Sequence, residues 1–518
     1  MATPSPTQFQ NKPASLPCSN SSASFWHSEP NPFLLNHRTT PDLPAHADII
    51  VIGSGITGAS IARYLTSDAR ADSLDILMLE AREICWGATG RNGGHCQPLL
   101  FDRSPDVAAF EVRNVDAVRG YIEEHGIGVA CEWRAVTGCR SFWDEGVFEA
   151  AKRDIRALAE VDPGLARRVR IVDGGDEEEV RRHCVAGGSA GLTLTEGAGQ
   201  LWPYKYVSFI VEKCVREGRL NVQTNTAVTG VEAVGGDAEE GRYKQVVRTP
   251  RGNVKARHVI LATNGYTSHL LRHLTDLIVP MRCEMSALHP PVGSERLPHS
   301  YGMVGFEGGN PEHDDYLIQR PFYDEPNGDG SRRGGHLMFG GGRSFAMYDC
   351  VGESEDDIVD PGEAEYLRRT LLRSMMLGGE TGGLKELKAS HQWTGIKGYS
   401  RDNMPWVGKV PSRDGKGAFE EGLWLCGGYT GHGMPNATLC GKAVVDMVLD
   451  ERKEKLGYEK ICEKLVKDKD LPQIYLITPQ RLEAAHRLPS VAEQDVGGIT
   501  QGGNPQESKP QESKCIVI

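Results

Sequence analysis

Apolar positions start a regular pattern at Asp48, where the run IIVI predicts a buried strand. A helix is predicted from Ile56 to about Leu65, and the apolar run LDILMLE predicts a second strand that ends at Glu80. Helical spacing of apolar residues returns in four further stretches, at about 105–125, 147–162, 204–217 and 361–376. Further strands are predicted at NVQTNTAVTGVE, YKQVVRTP, VKARHVILATNG and GLWLCGG, the last followed by a helix from about Pro435 to Leu449.

Between residues 279 and 345, short apolar runs alternate with turn residues, which favours an antiparallel sheet. The predicted fold class is therefore α/β, with a Rossmann-type, glutathione-reductase-like nucleotide-binding domain and an inserted antiparallel-sheet domain. The predicted divisions are a disordered N-terminus at 1–25, an extended arm at 26–46, a discontinuous nucleotide-binding domain at 47–105, 190–275 and 385–455, a second domain with helical insertions at 106–189 and 276–384, and a C-terminal extension with a flexible tail at 456–518.

Composition narrows the class of protein. Of 518 residues, 39% are hydrophobic and 25% charged, which is typical of a soluble globular protein. The net charge of −12 argues against a nucleic-acid partner, because phosphates would be repelled over most of the surface. No secretory signal precedes Trp26, and 13 cysteines without regular spacing indicate reduced thiols, so we expect a cytoplasmic protein. The stretch DGGDEEEVRRH predicts a solvated helix start, and no metal site is predicted.

The sequence DIIVIGSGITGASIARYL carries the first chemical signal. Gly53, Gly55 and Gly58 form G-x-G-x-x-G directly after a buried-type strand and at the start of a helix. Such a turn brings backbone close to a pyrophosphate, and the helix N-terminus offers it unpaired N–H groups. Glu80 ends the next strand, 27 residues after Gly53, where a carboxylate accepts the ribose hydroxyls. In this context the motif is a strong indication of a dinucleotide.

Two later segments repeat the same pattern. ILATNGYT places a strand before Thr263, Asn264 and Gly265, and LWLCGGYTGHGMPNA places a strand before Gly428 and another helix N-terminus. A nucleotide-binding domain assembled from three separated segments favours FAD over NAD, because the flavin ring must reach an interface with a second domain.

The residues also carry a specific resemblance. The chain resembles the D-amino-acid oxidase, glycine oxidase and sarcosine oxidase superfamily of FAD-dependent oxidoreductases, and within it the gamma-glutamylputrescine oxidase-like branch. The matching segments, from about Asp48 to Asp450, are GSGITG, LEA-R, GATGRNGGH, AGQLWPY, ILATNGYT, HQWTGIKGYSRDNMPWVG and LCGGYTGHGMPNA.

This resemblance implies a set of cofactor contacts. It places the pyrophosphate at the glycine turn, the adenosine at the acid after the second strand, and the flavin ring beside GATGRNGGH and the last helix. The implied cofactor-binding residues are Gly53, Ser54, Gly55, Gly58, Glu80, Arg82, Thr89, Gly90, Arg91, Asn92, Gly93, Gly94, Val228, Thr263, Asn264, Gly265, Gly428, Gly433 and Met434. By the resemblance, Gly395 and Arg91 stand at the positions where some members attach FAD covalently, so non-covalent FAD is predicted.

The reaction that the resemblance implies is oxidation of a small amine or amino-acid-like substrate to an imine. O₂ is the expected acceptor, with a dehydrogenase using another acceptor, or a non-catalytic flavoprotein scaffold, as open alternatives. His95 and His432 are candidates for tuning protonation near pH 7, although a structural role is equally compatible with each. Asp402 is a candidate for fixing the GYSRDNMP loop near the ring.

A carboxylate-bearing substrate calls for a cation on the inserted sheet. Arg320 and Arg343 are the predicted substrate-binding residues, and Arg282 lies in the same type of strand; a surface position is the alternative for each. The chain ends Cys515-Ile516-Val517-Ile518, which fits a prenylation box and predicts reversible membrane association.

Overall fold

The computed structural model describes residues 12–234, 242–307, 311, 313–326, 332–413, 419–454 and 456–497. Two large sheets dominate the structure. The helices are α1 Ile56–Ser67, α2 Pro105–Glu124, α3 Glu145–Val161, α4 Pro163–Ala166, α5 Glu177–Arg182, α6 Pro203–Arg216, α7 Thr267–Leu270, α8 Pro361–Ser374, α9 Ala437–Glu454, α10 Tyr458–Lys467, α11 Pro479–Arg487 and α12 Val491–Gly497. The strands are β1 His46–Ile52, β2 Ile76–Leu79, β3 His95–Cys96, β4 Arg134–Phe142, β5 Val169–Asp173, β6 Gly191–Gln200, β7 Asn221–Gln223, β8 Gly230–Ala233, β9 Gln245–Thr249, β10 Gly252–Leu261, β11 Ile278–Leu288, β12 Ser300–Val304, β13 Asp314–Gln319, β14 Phe322–Pro326, β15 Arg332–Gly334, β16 Leu337–Gly340, β17 Ala389–Ser400, β18 Trp406–Pro411 and β19 Phe419–Gly427.

The first sheet is the nucleotide-binding core that the sequence predicts. Its strands run in the order β18-β19-β10-β1-β2-β7, and β7, β2, β1, β10 and β19 are parallel neighbours. Ile50 lies between Leu77 and Val259 in register, and all three are buried. A parallel strand covered on both faces has no solvent side, which explains why IIVI is a continuous apolar run. The predicted α/β fold class is confirmed.

Helices α1, α6 and α9 cover one face of this sheet. Ile61 and Leu65 of α1, Ile210 of α6 and Val444 of α9 belong to one buried apolar cluster. Gly441 of α9 lets the helix approach α1 closely, because a Cβ there would lie 3.2 Å from Cβ of Ser60. The tight pairing of α9 with α1 brings the last predicted nucleotide segment back beside the first.

The second sheet runs β17-β11-β16-β13-β12-β4-β6-β3, with β5 against β6. Most neighbours are antiparallel, as predicted, while β4 and β12 are parallel. The structure corrects the expected domain limits at two strands. Gly191–Gln200 and Ala389–Ser400 fall in segments expected in the nucleotide-binding domain, yet both pair within the second sheet, because β6 lies against β4 and β17 follows β11 along its whole length.

Both ends of the chain are more ordered than the sequence suggests. The composition predicts disorder at 1–25, but Ala14 and Ser24 are buried, so the prediction is wrong for residues 12–25, while residues 1–11 lie outside the described part. The C-terminal extension predicted at 456–518 is also ordered up to residue 497, where it contains α10, α11 and α12. Polar segments like these have no apolar period, so their order depends on long-range hydrogen bonds that a local pattern does not show.

Within the described residues, no helix combines the length and apolar character needed to cross a membrane. The same residues hold no group of three or more His, Cys, Asp or Glu side chains arranged to ligate a metal ion.

Candidate active site

A long cavity lies between the two sheets, at the edge where the parallel strands β1, β2 and β10 end. Its empty space, counted out to the open solvent at its mouth, is about 1730 Å³. Seventeen of the predicted site residues line it, namely Gly53, Ser54, Gly55, Glu80, Arg82, Thr89, Arg91, Asn92, Gly93, His95, Val228, Thr263, Asn264, Gly265, His432, Gly433 and Met434. The sequence motifs therefore converge on one cleft.

The glycine turn after β1 forms one wall of the cleft. Gly53 has φ +102°, and a Cβ there would lie 2.8 Å from the carbonyl oxygen of Ala262, so a side chain is excluded. Gly58 is not part of the lining but holds the turn in place, because its Cβ would lie 1.9 Å from the carbonyl oxygen of Gly53. This is the close helix–strand contact expected of the third motif glycine.

Glu80 follows β2 and organises the neighbouring backbone. Its Oε2 accepts hydrogen bonds from the Ser54 amide at 3.0 Å and the Ser54 hydroxyl at 2.6 Å, and its Oε1 accepts from the Arg82 amide at 2.9 Å. The carboxylate faces the cleft from the strand end, where further lone pairs remain for the hydroxyls of a ribose.

The GATGRNGGH loop lies beside the glycine turn. The hydroxyl of Thr89 accepts a hydrogen bond from the amide of Ile56 at 3.0 Å, which joins the loop to the start of α1. Gly93 is packed against the ring of Tyr316, where a Cβ would come within 2.3 Å of a ring carbon. Gly90 and Gly94 are outside the lining, because each presses against backbone: a Cβ would lie 2.0 Å from Cys85 O at Gly90 and 2.4 Å from Leu201 O at Gly94.

Arg82 and Arg91 reach the cleft but share a protein carboxylate. Asp356 is buried and accepts hydrogen bonds from Nη1 of Arg82 at 3.0 Å, and Nε of Arg91 lies 3.3 Å from it. Burial lowers the pKa of Arg91 to about 10 although Asp356 opposes this shift, so the guanidinium stays charged at neutral pH. These two arginines therefore have a structural role at the cleft wall, which the sequence did not indicate.

The turn after β10 lies between the glycine turn at Gly53 and the segment at Gly428 that leads to α9. Asn264 has φ +43°, and its Oδ1 accepts a hydrogen bond from the amide of Gly428 at 3.0 Å. Gly428 itself has φ +72° and lies behind the lining, so its role is to turn the chain toward α9. The next residue that lines the cleft is Tyr266, whose buried hydroxyl has no hydrogen-bond partner within the described chain.

The segment before α9 closes the far end of the cleft. The helix begins at Ala437, slightly later than the predicted Pro435, and His432, Gly433 and Met434 lie ahead of it along the cavity. Nε2 of His432 donates to Glu111 at 3.0 Å. Burial would raise the pKa of Glu111, but His432 and Arg103 outweigh it and lower that pKa, so the carboxylate is ionised.

His95 lies at the same end of the cleft. Its Nε2 is 2.7 Å from Oε1 of Gln97, which assigns the proton to Nε2 and leaves Nδ1 as an acceptor. Burial, together with the nearby His432, lowers the pKa of His95 to about 4 although Gln97 opposes this. The ring is therefore neutral near pH 7, and it acts in the cavity as a hydrogen-bonding group rather than as a base.

The second sheet contributes a wall that sequence reasoning missed. Cys283 and Met285 alternate along β11, and opposite them on β17 Gly395 pairs with Cys283 and Lys397 with Met281, so these side chains share one face of the sheet. The residues of this wall are Cys283, Met285, Tyr316, Gly395, Ile396 and Lys397. The sequence shows the alternation of Cys283 and Met285 along the chain. Which face of β11 lines the cleft, however, depends on its pairing with β17, a strand more than a hundred residues away.

Lys397 places a cation in this wall. Its Nζ lies 5.8 Å from the centre of the Tyr316 ring. Burial alone would lower the pKa of Lys397, but Cys283, Tyr399, Tyr316 and Asp314 act in the opposite direction and keep it above its ordinary value. The side chain is thus an ammonium that lines the cavity.

The predicted arginine anchors are elsewhere. Arg320 makes a bidentate ion pair with Glu132, at 3.0 and 2.6 Å, and does not line the cleft. Arg343 also lies outside the lining, with Nη2 3.0 Å from His313, and Arg282 donates to the carbonyl oxygen of Asp349. The predicted strand positions are correct for Arg282, which lies on β11, but wrong for Arg320, which follows the end of β13, and for Arg343, which begins a short 3-10 helix after β16. None of the three lines the cavity.

Asp402 does not line the cleft either. Its oxygens accept from Ser400 Oγ at 2.6 Å and from Nε of Arg481 at 2.7 Å, and the amide of Met404 donates to it at 3.2 Å. Burial would raise the pKa of Asp402, but Arg481 and Ser400 lower it. The residue fixes its own loop and is not positioned for direct contact with a bound substrate.

The structure suits FAD. The backbone of Gly53 and Gly55 and the carboxylate of Glu80 line one part of the cleft and residues of the second sheet line another, an arrangement that suits a dinucleotide with a ring at the sheet interface. The buried Tyr266 hydroxyl, without a partner among the described residues, also calls for a polar ligand there. At the two positions that the resemblance aligns with covalent attachment, Gly395 has no side chain and Arg91 is ion-paired, and a Cβ at Gly395 would lie 3.2 Å from Cβ of Arg91. Cys515 lies outside the described residues.

Comparison with known proteins agrees with this geometry. Residues 48–447 match the model of the DAO family, described as FAD dependent oxidoreductase. The chain is 24% identical over 420 residues to Probable oxidoreductase OrdL of Rhizobium meliloti, covering 79% of this chain and 84% of that protein. It is 22% identical over 425 residues to Gamma-glutamylputrescine oxidoreductase of Escherichia coli, covering 77% and 83%.

Among solved structures, glycine oxidase from Geobacillus kaustophilus superposes with a TM-score of 0.61 at 17% identity, covering 79% of this chain and 96% of that one. The likeness in fold and the family match together confirm the resemblance predicted from the motifs. The chain belongs to the DAO family of FAD dependent oxidoreductases.

Proposed function

We propose that this enzyme oxidises the C–N bond of a small amine that carries an acidic group, such as an amino-acid-like compound, and that O₂ accepts the electrons. The observation that supports this most directly is that the same cleft is lined by a neutral histidine, His95, and by an ammonium, Lys397. The first suits the amine of such a substrate, and the second suits its carboxylate.

When bound, FAD supplies a two-electron acceptor for the hydride that leaves the substrate carbon. Amine oxidation requires the unprotonated amine, because its nitrogen lone pair forms the new C=N bond. His95 is neutral, so its Nδ1 accepts a hydrogen bond from an N–H of the amine, while the proton of an arriving ammonium is released to water. The product imine then hydrolyses in water without further help from the chain.

Lys397 provides the complementary contact. An ammonium on strand β17, which pairs with β11 along its whole length, pairs with a substrate carboxylate and fixes the substrate relative to the cofactor cleft, which lowers the entropic barrier. The surrounding Met285 and Tyr316 are largely apolar, and the Tyr316 hydroxyl donates to Met285 Sδ at 3.0 Å. In a site of low polarity the ion pair is stronger than it is in water.

The relatives support the substrate class. The Escherichia coli relative is named for gamma-glutamylputrescine, and the superposed structure is a glycine oxidase; both names denote amines that carry a carboxyl group. The oxidase name of the structural neighbour supports O₂ as acceptor.

The proposal is tested by mixing the purified yellow protein anaerobically with a panel of amines, D- and L-amino acids and N-methyl amino acids. We expect bleaching of the flavin by members that bear a carboxylate, and peroxide release once air is admitted. Bleaching of the flavin without release of peroxide would indicate that an acceptor other than O₂ takes up the electrons. Flavin that no member of the panel reduces would contradict the proposed function.

The role of Lys397 is tested with Lys397→Met, with Lys397→Arg as the charge-keeping variant and Lys388→Met as the matched control at an exposed lysine. Loss of a desolvated charge pair costs about 2–5 kcal/mol, so KM for a carboxylate substrate should rise by a factor of about 30 or more in Lys397→Met. Lys397→Arg should recover most of that loss, and Lys388→Met should leave KM unchanged. An unchanged KM in Lys397→Met would show that Lys397 does not bind the substrate carboxylate.

A further inference from the structure

The N-terminal strap, residues 14–24, crosses the mouth of the cofactor cleft. Ser15, Leu16 and Pro17 line the same cavity as the glycine turn and Glu80. The segment has no regular secondary structure, and Leu16 and Pro17 keep part of their apolar surface accessible. They therefore present apolar side chains to a cleft whose other wall is the polar backbone of the nucleotide turn.

One set of hydrogen bonds ties the strap to the nucleotide-binding side. The amide of Ala14 donates to Ser268 Oγ at 2.9 Å, and the hydroxyl of Ser24 donates to Gly90 O at 2.8 Å. Between these two contacts, Nη1 of Arg82 donates to the carbonyl oxygen of Cys18 at 3.1 Å. The strap is thus fixed at both ends and near its middle.

A second set ties the strap to the other domain. The amide of Ser15 donates to Ser354 Oγ at 2.9 Å, and the amide of Ser22 donates to Asp356 O at 2.8 Å. The hydroxyl of Ser22 also accepts from the amide of Thr394 on β17 at 3.0 Å. The strap therefore bridges the two walls of the cleft, and any opening of its mouth must break these bonds.

A further observation points to a ligand beneath the strap. Tyr266 lines the cavity next to the strap, and its buried hydroxyl has no partner among the described residues. Burial, together with Asp356, raises the pKa of Tyr266, so the phenol stays protonated and is a donor. A buried donor without an acceptor costs free energy, which a polar ligand in the cleft relieves.

We propose that the strap is part of the cofactor site. Leu16 and Pro17 cover bound FAD and slow its release, and Ser22 acts as a positioning residue that holds the strap across both domains. The proposal rests on the family assignment of FAD and is independent of the substrate. It extends the cofactor site to Leu16 and Pro17, which precede Gly53 by more than thirty residues.

The test measures the rate of FAD release. Deletion of residues 2–17 removes the lining part of the strap, and deletion of residues 2–11 is the matched control that keeps it. Each FAD-loaded protein is diluted, and the rise of free-flavin fluorescence is followed, with circular dichroism and the Tm of the FAD-free protein as checks on folding. We expect release from the longer deletion to be faster by about tenfold or more, equivalent to about 1.4 kcal/mol, and release from the shorter deletion to match the full-length chain.

A second variant tests the same proposal in case the longer deletion does not fold. The double substitution L16S/P17S keeps every backbone hydrogen bond of the strap and removes only its apolar cover, so it should also release FAD faster. If the full-length chain binds no FAD, the cofactor assignment fails and the strap proposal fails with it. If FAD binds and both the folded deletion and L16S/P17S release it at the full-length rate, the strap proposal alone is overturned.

Discussion

Gly58→Ala is the substitution for which the structure gives the clearest magnitude. The new Cβ would lie 1.9 Å from the carbonyl oxygen of Gly53 and 2.9 Å from its carbonyl carbon, whereas ordinary contacts begin at 3.4 Å. Because both atoms belong to backbone, no side-chain rotation relieves the overlap. The turn and helix α1 must therefore separate by about 1.5 Å, and overpacking of this kind costs about 1–3 kcal/mol.

The same displacement acts on FAD binding. The N–H groups of the turn and of the first turn of α1 are the groups that we propose as donors to the phosphates of FAD, and a shift of about 1.5 Å would move them out of hydrogen-bond distance. We expect Kd for FAD to rise by a factor of about ten or more, since each tenfold change corresponds to about 1.4 kcal/mol. Fluorescence titration of the FAD-free protein measures Kd, and denaturant unfolding measures stability.

Gly120→Ala is the matched control. Gly120 lies within α2 and is exposed, and a Cβ there would meet no atom within 4 Å beyond the backbone of its own helix and its chain neighbours. Alanine there should stabilise the fold by about 0.5–1 kcal/mol, because glycine loses more backbone entropy in a helix, and Kd for FAD should not change. If Gly58→Ala binds FAD as tightly as Gly120→Ala does, the reasoning about the turn is refuted.

Two other parts of the chain give further predictions. Arg481→Ala should destabilise the fold by about 3 kcal/mol in denaturant unfolding, because it leaves the Asp402 carboxylate, whose side chain is 14% exposed, without its guanidinium. Arg487→Ala on the same helix breaks an exposed pair with Glu483 and should cost at most about 0.5 kcal/mol, so equal effects of the two substitutions would contradict a role for burial. His95 has a pKa of about 4 in the fold and an ordinary value of 6.5, so the unfolded chain takes up the proton first as pH falls, and the contribution of His95 to stability should be complete above pH 6.5 and be lost progressively down to about pH 4. His95→Gln should therefore make the free energy of unfolding less dependent on pH in that window, and the opposite trend would show that the ring is not buried as a neutral group.

The nucleotide side of the site was predictable because its signals are local. Gly53, Gly55 and Gly58 act through the backbone of one turn, and Glu80 follows the next strand at a fixed distance along the chain. The parallel sheet also shows its burial directly, as a continuous apolar run. These features need no knowledge of which distant strands pair.

The substrate side was not predictable in the same way. Arg320 and Lys397 both lie on or beside strands of the second sheet, and the sequence favoured the arginine. The structure gives Arg320 a carboxylate partner, Glu132, that is 188 residues away, while Lys397 reaches the cleft only because β17 pairs with β11 in one register. Shifting that register by a single residue would turn Lys397 away from the cavity.

Reconstitution with FAD is the most direct test that the cleft between the two sheets binds FAD without a covalent bond. Acid treatment should release all flavin from the protein into solution, and titration of the refolded, colourless chain with FAD should restore the bound spectrum at one FAD per chain. A folded chain that takes up no FAD, or flavin that stays with the denatured protein, would contradict the account of this cleft as a non-covalent FAD site.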